Sequence, residues 1–417
     1  MASGAGEFRN GWRAIVACAA GVGVGLTGLP FYTFGIFITP LSDDMGWSRS
    51  MIAAGMLCLN AGVIFVGPLI GLLMDRFGVR LIAIPSLIGV AVGFFLLSLS
   101  GPTIGSFYMA WLAVAVLGAG TTPLTWTRAI SERFDRARGL ALGLTLLGTG
   151  LASIFGPPLI QELIATGGWR SGYRGMAGFV LFVAVPLAVF GLWQRREPVA
   201  ARTRVAGVGA GMTWPEAVKT KRFWLIAGGI FLVIVGQASS TVHFVPLLRD
   251  RGIEAGTAAG VAGLFGASVI IGRIVVGYLL DRFHGPKIAR IFLSLPALAL
   301  LLLIWRSDLA TARVAAVLLG IAAGAEVDLL AYFVSRYFGL RSYGAIYGTA
   351  LSAFGLGAGF GPTLAGHAYD VAGNYDGALV AGVCVFLAGV ACLGFLGRYP
   401  AFTSDSEARK VVSDVLK

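Results

Sequence analysis

The stretch GASVIIGRIVVGYLLDRF, residues 266–283, sets Arg273 inside a run of apolar and small residues before it closes on Asp281, Arg282 and Phe283. Centring an arginine in a membrane helix costs about 2.5–3.5 kcal/mol on insertion scales, so a chain that keeps one there uses it. The end of the stretch has a second copy: GYLLDRFHGP at 277–286 repeats GLLMDRFGVR at 71–80, 206 residues earlier. The fold turns on whether this run is membrane and whether the chain is doubled.

Composition decides the first point. The 417 residues are 57% hydrophobic and 12% charged, with a mean hydropathy of +0.83, where soluble domains carry roughly 25% charged residues. Apolar runs of helix-spanning length recur twelve times, at about 12–38, 48–73, 80–100, 103–128, 138–164, 173–193, 222–248, 257–280, 288–305, 311–337, 343–369 and 377–399. They lack apolar/polar alternation and exceed the roughly 9–11 residues of a barrel strand, so an all-α membrane protein of twelve transmembrane helices is expected. The first run is too long for a cleavable signal and follows a short polar tail, so it reads as a retained helix.

The basic residues orient the chain. With both termini inside, 23 Lys/Arg fall on the cytoplasmic side and 7 on the other. That positive-inside asymmetry accounts for the net charge of +12 without nucleic acid as a partner. Cys18, Cys58, Cys384 and Cys392 lie scattered in apolar runs with no metal-ligand spacing, and no GxxxxGK[ST] stretch occurs. No cofactor, no metal and no enzymatic activity are expected.

Further landmarks support doubling. IFGPPL at 154–159 returns as GFGPTL at 359–364, offset 205, and RGLALG at 138–143 has a looser echo in RSYGAIYG at 341–348. Two six-helix, pseudo-symmetric halves follow, residues 1–193 and 222–417, joined by a basic cytoplasmic linker at 194–221. Parallel repeats of this kind hold their substrate site between the halves, near the bilayer midplane.

The 71–80 loop resembles the signature loop of the major facilitator superfamily, and GTGLASIFGPP in the fifth segment resembles its helix-five motif. FGIFITPLSDDMGWSRS, FDRARGLALG, HFVPLLRDRG and RYFGLRSYGAIYG together resemble the monocarboxylate transporter and oxalate/formate antiporter branch. The resemblance implies the major facilitator fold and alternating-access carriage of a small carboxylate, often with a proton. It also implies that Arg273, in the eighth segment, grips the substrate carboxylate. The animal carriers' aspartate one turn earlier is Val269 here, their first-helix lysine aligns with Tyr32, and the oxalate carriers' lysine falls on Ala350. One fixed cation suits one carboxylate.

Counting depth adds an independent argument. The eighth segment runs inward and puts Arg273 about 7 Å cytoplasmic of its middle at 1.5 Å per residue. Glu326 and Asp328, in the tenth segment, reach the same level. Arginine and acids can then compensate one another, and a substrate carboxylate can displace one acid in a bidentate pair. Asp328, Glu326 and His243 are the candidate proton-coupling groups; Tyr32, Tyr332, Thr122 and Gln237 join Arg273 as candidate substrate contacts. Thr121 and Asn60 line the path or bond neighbouring helices, while Trp126 and Arg128 are expected to anchor the cytoplasmic end. Asp75, Arg76, Arg80, Asp281 and Arg282 are candidate gating residues that pair the halves when the carrier faces outward. Gly156-Pro157-Pro158 and Gly361-Pro362 are expected bend points.

The reading is a secondary transporter that moves an organic monoanion with a proton. It is expected as a monomer in a bacterial inner-membrane bilayer, both termini cytoplasmic. The alternative is an efflux carrier for hydrophobic or drug-like compounds. That alternative favours an acid in the first half's cavity, and segments one, two, four and five hold none at mid-membrane depth.

Overall fold

The computed structural model describes residues 4–134, 138–192, 211–280, 282–306, 308–339 and 341–400. Its helices are α1 (Gly4–Val24), α2 (Leu29–Met45), α3 (Arg49–Phe77), α4 (Val79–Ser98), α5 (Ile104–Gly118), α6 (Pro123–Ser131), α7 (Arg138–Phe179), α8 (Val185–Leu192), α9 (Trp214–Val218), α10 (Lys221–Asp250), α11 (Ala255–Leu280), α12 (Gly285–Trp305), α13 (Leu309–Phe338), α14 (Tyr343–Ala372) and α15 (Asp376–Gly394). Among the described residues the only non-helical pairing is an isolated bridge, Gly211 to Gly339.

Among the described residues, ten stretches are long and apolar enough to cross a membrane. The longest, Leu140–Leu192, is too long for one crossing and reverses at Gly168, where φ is +72°. No Cβ obstructs a glycine there. Beyond the reversal, Gly172 and Gly175 pack back on Ile164 and Leu163. Counting α14 as well, the twelve crossings of the sequence reading are accommodated.

Two expected single helices are broken. The first segment stops at Val24 and restarts at Leu29-Pro30; the fourth stops at Gly118 and restarts at Pro123. Paired glycines loosen each helix and a proline at the new first turn lacks the N–H that a continuous helix would need. The breaks face each other, and Leu26 N–H donates to Thr121 Oγ1 at 3.3 Å. Thus part of the backbone polarity freed in apolar surroundings is satisfied between them. By contrast, α7 and α14 continue through Pro157-Pro158 and Pro362 without a break.

Helix starts outside the apolar spans carry ordinary caps. Asp308 accepts from Thr311 N–H at 2.8 Å, and that bond holds its carboxyl below the usual carboxylate range.

Close packing within the second half relies on small residues. A Cβ at Gly320 or Gly324 of α13 would collide with the α11 backbone at Phe265, Val269 and Arg273, and one at Gly272 would strike Ile321. The stripe 320–324–328 therefore faces α11, because residues four apart share a helix face. Gly324→Leu should force these helices apart, cost about 1–3 kcal/mol or more, and lower the thermal unfolding temperature of purified protein. An unchanged temperature would show that the seam can relax.

Candidate functional site

Where the two halves touch, and where they part, locates the site. On the face opposite the termini, Arg49 at the start of α3 makes a bidentate pair with Asp250 at the end of α10, both bonds 2.7 Å. Asp370 of α14 accepts from the Arg49 and Ser50 N–H groups, each at 3.0 Å. The α3–α14 seam then descends through Gly366 on Ser50, Gly359 on Leu57 and Gly355 on Ile64. Further toward the termini face, Gly71 of α3 and Gly348 and Gly344 of α14 meet nothing within 4 Å. Gly71 lies seven residues beyond Ile64, and Gly348 seven before Gly355, so both continue the same helix faces.

The α7–α11 seam behaves alike. Gly263 and Gly266 pack on Ile154 and Ser153, and Gly150 packs on Ile270. Seven residues further on each helix, Gly143 and Gly277 meet open space. The halves are thus closed on the far face and parted toward the termini. Arg273 sits one turn beyond the last contact, at the head of the opening.

There Arg273 Nε stands 3.7 Å from Asp328 Oδ2, with side chains 27% and 33% exposed. The guanidinium makes no hydrogen bond with any described residue, and its Nε is a buried donor without a partner. A separation of 3.7 Å is an ion pair but too long for a hydrogen bond, so the fork remains available to a further acceptor.

Glu326 shares this depth but not this partner. Two residues on a helix turn 200°, so 326 and 328 cannot both face α11. Glu326 is 4% exposed and its Oε1 has no hydrogen-bond partner. Tyr32 of α2 approaches from the other half, within Coulombic reach of both Arg273 and Glu326, and its ring lies 6.2 Å from that of Phe265. Just beyond is a cavity of about 10 Å³ that Tyr32, Ser153, Ser240 and Thr241 help to line, room for about one water. Gln237 is buried and donates to the Leu319 carbonyl at 3.3 Å, leaving its Oε1 unpartnered. On the termini side of Asp328, Tyr347 lies within Coulombic reach and stacks on Tyr343 at 5.6 Å.

Other expected site residues are placed elsewhere. Tyr332 packs against Gly285 and its hydroxyl is 3.5 Å from that of Tyr399. It belongs to the α12–α13 end, where Gly285 at the start of α12 and Tyr399, in the segment after α15, pack against it. Thr122 is half-buried and caps α6 by position without a side-chain bond. Asn60 donates to its own helix at Met56, 2.8 Å. Trp126 is no surface anchor: it is fully buried, donates to the Thr121 carbonyl at 3.0 Å and fills the space left by Gly21. Arg128 pairs with Glu132 at 3.3 Å.

Of the candidate gating residues, Arg76 is exposed and Arg80 half-buried, and Arg282 lies over the Tyr278 ring at 4.1 Å. Asp281 and the Asp75 side chain lie outside the described residues, as do 194–210 of the linker. The rest of the linker joins the second half: Met212 N–H donates to the Phe338 carbonyl at 2.8 Å, and Trp214 Nε1 donates to Thr349 at 2.9 Å.

His243 is 3% exposed and stands in the far-face closure. Its Nδ1 is 2.8 Å from the Tyr375 hydroxyl and its Nε2 2.8 Å from the Pro362 carbonyl. Sequence reasoning missed the partners of this closure. Arg49, Asp250 and Asp370 sit at helix ends, where charge is ordinary, and nothing in their spacing pairs them.

The chain is 28% identical to monocarboxylate transporter 13 of Bos taurus, covering 84% of this chain and 82% of that one. It is 25% identical to monocarboxylate transporter 11 of Homo sapiens, covering 92% and 83%, and 24% identical to the uncharacterised transporter YhjX of Escherichia coli, covering 78% and 81%. Among solved structures, the nucleoside transporter NupG superposes with a TM-score of 0.76 at 12% identity, over 92% of this chain and 100% of that one. A bacterial homologue of the lysosomal transporter Spinster superposes at 0.70 and 16%, over 93% and 96%. With residues 20–362 matching the family as a whole, and two helical halves parted on one face and closed on the other, the chain belongs to the Major Facilitator Superfamily of membrane transporters.

Proposed function

We propose that this transporter moves a small organic monocarboxylate together with a proton, by alternating access about Arg273. Its termini face lies in the cytoplasm and the structure is the inward-open state. Residues 1–193 and 222–417 are the two moving halves, and Arg76, Arg80 and Arg282 lie on the face that must close next. The observation that carries the reading is the guanidinium without a hydrogen bond at the head of the opening, balanced by one displaceable acid.

Charge bookkeeping supports the proton. Empty, the site holds Arg273 and Asp328 as one positive and one negative group. A substrate carboxylate that takes over the guanidinium leaves Asp328 without a counter-ion, and protonation of Asp328 restores neutrality. One anion with one proton therefore adds no net charge to a poorly solvated site. Glu326, buried without a cation in contact, is the second place a proton can reside, and Tyr32 spans both.

Uptake of radiolabelled monocarboxylates into proteoliposomes tests this. An inward proton gradient should drive accumulation and a protonophore should collapse it; sodium dependence with no response to pH would refute the coupling. Asp328→Asn should abolish gradient-driven accumulation while preserving part of the counterflow exchange of the anion. If both Asp328→Asn and Glu326→Gln retain accumulation, neither acid carries the proton.

A further inference from the structure

The far-face closure contains a chain of hydrogen bonds with a defined direction. The Pro362 carbonyl can only accept, so His243 Nε2 carries the hydrogen at 2.8 Å. Arg49 can only donate, and it donates to the Tyr375 oxygen at 2.9 Å. With His243 neutral, the Tyr375 O–H donates to Nδ1 at 2.8 Å, and every donor in the chain has an acceptor. Asp250 fixes the guanidinium from its other side, while the Tyr369 ring lies 3.7 Å beneath it.

A proton on His243 reverses one of these bonds. Nδ1–H then also points at the Tyr375 oxygen, which already accepts from Arg49, and the Tyr375 hydrogen loses its acceptor. Leaving a buried donor unmatched is costly. Among the described residues no carboxylate makes a hydrogen bond or ion pair with the imidazole to compensate. Behind it lies an apolar cavity of about 150 Å³ lined by Leu247, Leu300, Leu364 and Leu379 among others.

The charged groups around it are engaged elsewhere. On α3, Arg49 is committed to Asp250; on α14, Asp370 is committed to the α3 amides; at α15, Asp376 pairs with Arg251 at 3.2 Å. His367 lies on the exposed face of α14, and the α12 residues that line the cavity are leucines.

We propose that His243 is a proton-binding site that controls the far-face gate: the gate closes only around the neutral imidazole, and a proton on His243 favours the state in which the halves part on that face. The direction follows from linkage. Water reaches an opened gate and solvates the imidazolium, so the open state binds the proton more tightly, and falling pH drives closed protein toward open. The proposal stands apart from the anion site, since it concerns the gate without substrate.

Spin labels on exposed far-face positions in each half, Thr103→Cys and Arg306→Cys, report the gate when the four native cysteines are replaced. Distances measured by pulsed electron resonance in nanodiscs, without substrate, should lengthen as pH falls from about 8 to about 5.5, across the range in which histidine titrates. The open-to-closed ratio should rise by up to about tenfold per pH unit, the limit for one proton. His243→Gln, which can donate to Pro362 and accept from Tyr375 but takes no proton, should remove the response. Tyr375→Phe should raise the open fraction already at high pH and flatten the pH dependence, which covers the case of a His243→Gln protein that does not fold. A wild-type distance that ignores pH overturns the proposal, as does a pH response surviving in either variant with its wild-type midpoint.

Discussion

Arg273→Ala protein should reach the membrane and fold, yet bind the proposed carboxylate substrate about thirty- to several-hundred-fold more weakly than wild type. Removing one partner of a buried, hydrogen-bonded charge pair costs roughly 2–5 kcal/mol. The lower half of that range applies because the Arg273 side chain is 27% exposed and water screens part of the interaction. Arg273→Lys should fare nearly as badly. An ammonium keeps the charge but cannot make two parallel bonds to one carboxylate. Ligand-induced thermal stabilisation of purified protein measures the loss directly and separates it from misfolding. Wild-type affinity in Arg273→Ala would make this arginine a clamp between α11 and α13.

The clamp reading predicts a different pattern. If the 3.7 Å pair with Asp328 existed to hold helices together, Arg273→Ala and Asp328→Asn should each destabilise the empty protein. The α11–α13 seam, however, is already closed by Gly272, Gly320 and Gly324 pressed against opposing backbone. Such packing holds the helices without the pair, and a long, hydrogen-bond-free ion pair adds little to it. The empty Arg273→Ala protein should therefore unfold near the wild-type temperature.

How far the sequence reaches depends on the physics behind each feature. Helix number and doubling are written in apolar run length and in the repeated LLDRF/LMDRF loops, because membrane thickness and repeat symmetry are properties of the chain alone. The Arg273–Asp328 meeting is legible by depth counting, since rise per residue is fixed. That Glu326 turns away from α11 is equally legible from the 100° step between residues, once the glycines at 320 and 324 are read as the contact stripe. The helix breaks at 25–28 and 119–122 are marked by glycine and proline, but their mutual satisfaction through Leu26 and Thr121 is a tertiary fact. The same holds for Arg49 with Asp250, residues 201 apart that only the docking of the halves brings together. Trp126 went astray because depth says nothing about which way a side chain faces, and Tyr332, one turn past Asp328, because its contact with Tyr399 is a tertiary fact.

Gly348→Trp should leave anion binding intact and stop transport, which separates the site from the movement around it. In the present state Gly348 is exposed and a Cβ there meets nothing within 4 Å, so a side chain at this position starts out into open space. Gly348 lies seven residues from Gly355, which packs on Ile64 of α3, and so it faces the side where α3 must approach when the termini face closes. Overpacking a helix seam costs about 1–3 kcal/mol and occasionally more, and an indole where glycine stood belongs at the upper end. The closed-termini state should then be disfavoured about a hundredfold, and net uptake into proteoliposomes should fall by a similar factor. Exchange should fall with it, because exchange also requires both faces to open in turn. Thermal stabilisation by the carboxylate should persist, since Arg273 and Asp328 are untouched and remain reachable from the open side. Transport at the wild-type rate would mean that α3 and α14 never close on this face, and the inward-open assignment would fall with it.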